Sequence, residues 1–142
     1  QFDSVDHIRA FMKEMRGQTY GPVTDEQWTF MAEHNARPLS NGKVSFGYDP
    51  KLAPMFAKEP IGNTADLWEF WDNMTCPALI LRGADSEIFP ADVADEMTRR
   101  GPGANGLVQL ETLEGCGHVP SLMAPYQIEM ILNWLKNTDI PQ

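Results

Sequence analysis

The stretch Cys76-Pro77-Ala78-Leu79-Ile80-Leu81-Arg82-Gly83-Ala84-Asp85-Ser86-Glu87 decides how the rest of the chain is read. Its apolar run from Cys76 to Leu81 is short and continuous and ends at Arg82-Gly83, the pattern of a strand buried on both faces of a parallel sheet. A polar loop with Asp85, Ser86 and Glu87 follows at once. Pro90 suits the first turn of a helix over Ala91 to Arg100, which stops at the turn Gly101-Pro102-Gly103. Leu107 to Leu113 alternates as a second strand, with Gln109 and Glu111 on its more exposed side. Beyond the loop Glu114 to Pro120, the apolar positions Ile128, Ile131, Leu132 and Leu135 space a last helix over Tyr126 to Lys136.

Upstream of the decisive stretch, Thr64 is placed to cap a helix running to Met74 and closed by Pro77. Its Trp68, Phe70 and Trp71 are expected to pack where the helix meets the sheet. From Pro38 to Pro60 the chain carries four prolines and one extended stretch, Lys43 to Tyr48, as a connecting or lid-like segment would. Two amphipathic helices precede it. Asp3 to Met15 spaces Val5, Ile8, Phe11, Met12 and Met15 on one face, with Asp3 or Ser4 as N-cap and Gly17 as the stop. The second starts at Thr24, places Asp25 and Glu26 at the positive end of its dipole, turns Trp28, Met31 and Ala32 inward, and ends before Pro38.

Helix, strand, helix, strand, helix with short connections is the alternation of an α/β parallel sheet. Two parallel strands make no stable sheet alone, so this segment is expected to be the edge of something larger. Association follows, either with a separate N-terminal half or between two copies. The chain opens on Gln1 and not on Met, which fits a processed or truncated piece.

Composition narrows the function classes. With 142 residues, 42% hydrophobic, four Trp and seven Phe, the chain is long and apolar enough to bury a core. Eleven Lys plus Arg against twenty Asp plus Glu give a formal charge of -9, which repels phosphate backbones and anionic membranes, so neither nucleic acid nor membrane is expected as a partner. Cys76 and Cys116 form no paired framework and read as free thiols. No apolar run approaches the roughly 20 residues that span a bilayer, and no secretory pattern opens the chain, so a cytoplasmic location is expected.

The chemistry gathers in the two loops. In open α/β sheets ligands bind beyond the carboxyl ends of the strands, where the loop of Asp85, Ser86 and Glu87 and the loop Gly115-Cys116-Gly117-His118-Val119-Pro120 both lie. A carboxylate accepting the Nδ1 proton of an imidazole fixes its tautomer and leaves Nε2 free to take a proton from a nucleophile. His118 is therefore the candidate general base, and the first loop supplies the candidate acids. His7 and His34 lie on helices with no metal-ligand spacing to a partner, and no metal site or cofactor is expected. Cys116 reads as a small packed residue. Met12, Met15, Met31, Met55 and Met123 serve equally as core or as a pliable apolar cleft.

The ordered pattern of apolar strand, Arg82-Gly83-Ala84-Asp85-Ser86-Glu87, helix, strand and Gly115-x-Gly117-His118-x-Pro120 resembles the C-terminal end of the α/β-hydrolases, over residues 64 to 137. The resemblance implies a C-terminal βαβα part of the hydrolase core over residues 61–142 and a helical cap or lid segment over residues 1–60. It also implies a catalytic triad with His118 as the histidine. Many members carry the acid as an Asp three residues after the strand-ending glycine, where this chain has Ser86. The neighbouring Asp85 and Glu87 are the available carboxylates, and Glu87 is taken first because some relatives carry Ser-Asp in this loop.

The family's nucleophile precedes its cap on a Gly-x-Ser-x-Gly-like elbow, and Ser4, Ser40 and Ser45 lack that setting. The implied function is that of a fragment of a cofactor-independent hydrolase, acting on an ester or similar bond of a small apolar substrate, with the nucleophile outside the chain. The alternative is a non-catalytic binding or interaction protein on the same scaffold.

Overall fold

The computed structural model describes residues 1–52 and 67–138, which fall into two compact units. Residues 1–15 and 24–52 form the first, and residues 16–23 join residues 67–138 in the second. The expected helix start at Thr64, the residues 53–60 of the expected cap and Met55 lie outside the described residues.

The first unit is built on two helices, α1 (Val5–Arg16) and α2 (Asp25–Asn35). Ile8 and Met12 of α1 and Trp28 and Ala32 of α2, each pair one turn apart, are its buried apolar residues. A capping box starts α2: the Gln27 amide donates to Thr24 Oγ1 at 3.3 Å, and the Thr24 amide donates to Gln27 Oε1 at 2.9 Å. The chain then passes directly into β1 (Ala36–Pro38), antiparallel to β2 (Val44–Phe46), with Ala36 opposite Phe46 and Pro38 opposite Val44. Phe2 bridges Val44 and lies with Phe11 and Phe46 in an aromatic cluster whose ring centroids are 5.4 to 6.0 Å apart. The spacing of prolines does not announce β1. Its pairing comes from the hairpin turn, where the Leu39 amide donates to the Lys43 carbonyl at 2.8 Å.

The second unit holds β3 (Ala78–Gly83) and β4 (Val108–Leu113), paired in parallel with Ala78 opposite Val108 and Gly83 opposite Leu113. Helix α4 (Ala91–Met97) links them, and α5 (Pro125–Asn137) follows β4. α4 ends three residues before its expected stop. The Thr98 amide takes the carbonyl of Asp95, and its hydroxyl takes the same oxygen at 2.7 Å, tightening the last turn.

Helix α3 (Trp68–Asp72) departs from its expected role as core. Phe70 is 72% exposed. What holds α3 is largely polar: the Trp71 indole donates to the carbonyls of Met97 and Arg100, both at 3.2 Å, and Arg100 pairs with Asp72 while lying 4.3 Å over the Trp68 ring.

Helix α5 turns Gln127 into the interior, with Met130, Ile131 and Trp134 half-buried on the same stripe. Ile128, Leu132 and Leu135, expected inward, are 44 to 46% exposed. Along β3 only Ile80, Arg82 and Gly83 are buried, because a pair of strands leaves part of each face uncovered. No helix among the described residues is long and apolar enough to cross a membrane.

Candidate active site

Because β3 and β4 run parallel, the loops that leave Gly83 and Leu113 emerge from the same edge of the sheet. Backbone pairing continues past the strand tips, with the Ala84 amide on the Leu113 carbonyl and the Asp85 amide on the Cys116 carbonyl, each at 2.9 Å. The histidine loop lies directly against the end of β3. A Cβ on Gly83 would stand 1.9 Å from the Gly117 carbonyl oxygen, so only glycine permits the approach. On its other side, the Gly117 amide donates to the Thr19 carbonyl at 2.9 Å and the Ser121 amide to the Tyr20 carbonyl at 2.8 Å. A Cβ on Gly117 would in turn press on Thr19 at 2.9 Å.

This stitching presents His118 as an exposed side chain on a fixed backbone. Its Nδ1 lies 3.1 Å from the Oγ of Ser86. Ser86 is buried, its amide closes a turn onto the Gly83 carbonyl at 3.1 Å, and its Oγ accepts the Phe89 amide at 3.1 Å. Asp85 and Glu87, the carboxylates expected to orient the histidine, are both exposed, and among the described residues no hydrogen bond joins either side chain to the imidazole. The turn explains this. Its closing bond brings the third residue after Gly83 back toward the sheet, while the residues on either side of it point outward.

Two further residues shape the site. Arg82 is buried and donates from Nε to the Phe89 carbonyl at 2.8 Å and from a terminal nitrogen to the Ala84 carbonyl at 3.1 Å, clamping both ends of the Ser86 loop. An arginine closing an otherwise apolar strand was the signal for it. Cys116 is fully buried, with the amide nitrogen of Gln127 3.8 Å from its sulfur. Burial pushes its thiol up, the nearby Asp85 charge adds to the effect and Gln127 opposes it. The raised value disfavours the thiolate that nucleophilic attack needs. Gln127 also accepts the Ala124 amide at 3.3 Å, anchoring the start of α5 beneath the loop.

His7 and His34 stand exposed on α1 and α2, away from this constellation in sequence and each engaged locally, His34 with the Phe30 carbonyl at 2.8 Å. Among the described residues no group of three or more His, Cys, Asp or Glu side chains converges as metal ligands. A shallow groove lies at the opposite end of the sheet, lined by Pro77, Leu107, Gln109 and Trp134, and shares no residue with the histidine site.

No family model matches the chain. It is similar to the 3-hydroxybutyrate-oligomer hydrolase of Cupriavidus necator, with 28% identity over 135 residues that make up 90% of this chain and 44% of that protein. Among solved structures, an α/β hydrolase from Novosphingobium aromaticivorans matches with a TM-score of 0.77 and 34% identity over 95% of this chain and 46% of its own. A protein from Rickettsia typhi matches with a TM-score of 0.81 and 23% identity, over 97% of this chain and 44% of its own. The chain thus spans less than half the length of each of these proteins.

Proposed function

We propose that this chain, which has the fold of the C-terminal half of an α/β-hydrolase, supplies the proton-transferring histidine of a hydrolase whose nucleophile lies outside it. The observation that carries this reading is the placement of His118. It stands exposed at the carboxyl edge of the parallel pair on a loop pinned by backbone hydrogen bonds from both sides. In the assembled protein, His118 takes a proton from the nucleophile as it attacks and returns one to the leaving group, with Asp85 or Glu87 as the carboxylates near enough in the chain to share in orienting it.

The substrate class is an ester or similar bond in a small apolar molecule, acted on without a cofactor. The name of the Cupriavidus necator relative, a hydrolase of 3-hydroxybutyrate oligomers, supports that class. Residues 1–60 serve as a helical cap or lid segment, and residues 61–142 as the C-terminal βαβα part of the core.

The test is hydrolysis of a p-nitrophenyl ester by the source protein that contains this chain. His118→Ala is expected to lower kcat by a factor on the order of 10^4 or more. Turnover unchanged by that substitution would overturn the assignment. The chain alone is expected to show no hydrolysis above its His118→Ala control, and clear His118-dependent turnover would place a nucleophile inside it. One observation favours the rival reading of a non-catalytic scaffold: a hydroxyl, not a carboxylate, meets His118 Nδ1.

A further inference from the structure

That hydroxyl has a consequence for the imidazole. We infer that Ser86 is the positioning residue of His118, donating its O–H to Nδ1 and holding the ring at rest with its own proton on Nε2. The inference rests on the proposed function only in calling His118 the proton-transferring residue.

The case is one of counting hydrogens. A serine hydroxyl has one proton to give and two lone pairs to receive with. At Ser86 one lone pair is taken by the Phe89 amide at 3.1 Å, which also fixes the direction of the Cβ–Oγ bond. The side chain is buried, and among the described residues the only other polar group within hydrogen-bonding distance of Oγ is His118 Nδ1 at 3.1 Å. The hydroxyl proton is satisfied there if Nδ1 is bare. An imidazole with a bare Nδ1 and no net charge carries its proton on Nε2.

A carboxylate in the same place does the reverse, because it only accepts: it requires Nδ1–H and leaves Nε2 bare. The two partners therefore give His118 opposite characters. Facing Ser86, its outward nitrogen is a donor, suited to hold a developing oxyanion or a carbonyl oxygen. To act as a base it must lose the Nε2 proton to solvent and gain one at Nδ1, with the Ser86 hydroxyl turned so that its second lone pair receives it. Arg82 makes Ser86 a stable partner, since its two bonds hold both ends of the loop in which the serine sits.

The measurement is the pair of ring nitrogen chemical shifts of His118 in the 15N-labelled chain, recorded where the imidazole is neutral. In the unsubstituted chain the proton is expected on Nε2, with Nδ1 shifted as a hydrogen-bond acceptor. Ser86→Ala loses that shift and Ser86→Thr restores it, whereas Ser86→Asp moves the proton to Nδ1. The amide spectrum reports whether each variant keeps the fold, and the spectrum of the unsubstituted chain decides even where a variant does not. A proton on Nδ1 in that chain, or a Ser86→Ala chain of unchanged fold and unchanged ring shifts, overturns the inference. Absence of ester hydrolysis in the source protein with the Nε2 tautomer present would sink the hydrolase reading and leave this inference standing.

Discussion

The carboxyl edge of the parallel pair and the outer face of α5 belong to the same unit and are built to opposite standards. At the edge, Gly83 and Gly117 meet their neighbours' backbones so closely that no added carbon fits, and the amides of Ala84, Asp85, Gly117 and Ser121 all find carbonyls across the loops. On α5, Ile128, Leu132 and Leu135 stand 44 to 46% exposed, three to four residues apart on one stripe. The difference teaches that the histidine loop is held by contacts within its own unit, while the apolar face of α5 is left open among the described residues. That agrees with a chain spanning 44 to 46% of its relatives' lengths.

The sharpest way to break the contrast is at Gly83. Gly83→Ala forces a Cβ to within 1.9 Å of the Gly117 oxygen, and backbone, unlike a flexible side chain, cannot step aside. A loss of about 3 kcal/mol or more is expected in chemical denaturation. A loss below about 1 kcal/mol would show that the histidine loop is not held against β3. Arg82→Met comes next. It keeps the stem but leaves the Ala84 and Phe89 carbonyls without their donor, at an expected cost of about 2 kcal/mol in the same experiment. The smallest effect on folding should come from α5, where Leu132→Glu is expected to change stability by no more than about 0.5 kcal/mol because the side chain is already 45% exposed. If the α5 stripe is a partner surface, the same substitution is expected to weaken self-association or pairing with an N-terminal half roughly tenfold, a change of about 1.4 kcal/mol, as read by light scattering or sedimentation. Association unaffected by that substitution would move the partner surface off this stripe.

Much of the fold was legible from the residues. The run Cys76 to Leu81, short and closed by Arg82-Gly83, and the alternation from Leu107 to Leu113 announce the two parallel strands observed at Ala78–Gly83 and Val108–Leu113. β1 was not legible: Arg37 and Pro38 carry no strand pattern, and their pairing depends on Val44 to Phe46 across a turn. The inward stripe of α5 is ambiguous in the sequence for a different reason. Apolar residues cover most of that helix's circumference, so periodicity alone does not choose between Ile131 with Trp134 and Ile128 with Leu132.

At the site, the flanking glycines of His118 mark it in the sequence, whereas the chemistry of a triad points to the carboxylates beside Ser86 and not to Ser86 itself. Which member of a short loop faces inward is set by a single turn bond, here from the Ser86 amide to the Gly83 carbonyl, and composition does not encode that bond.

The two free cysteines differ as much as the two surfaces do. Cys76 is exposed, and Cys116 is buried within the histidine loop, where burial pushes its thiol pKa up. A thiol reagent therefore marks Cys76 at once and reaches Cys116 only in the moments when the loop lifts away from the strand tip. The chain carries its own clock: the lag between the first and second modification counts how often the histidine loop opens.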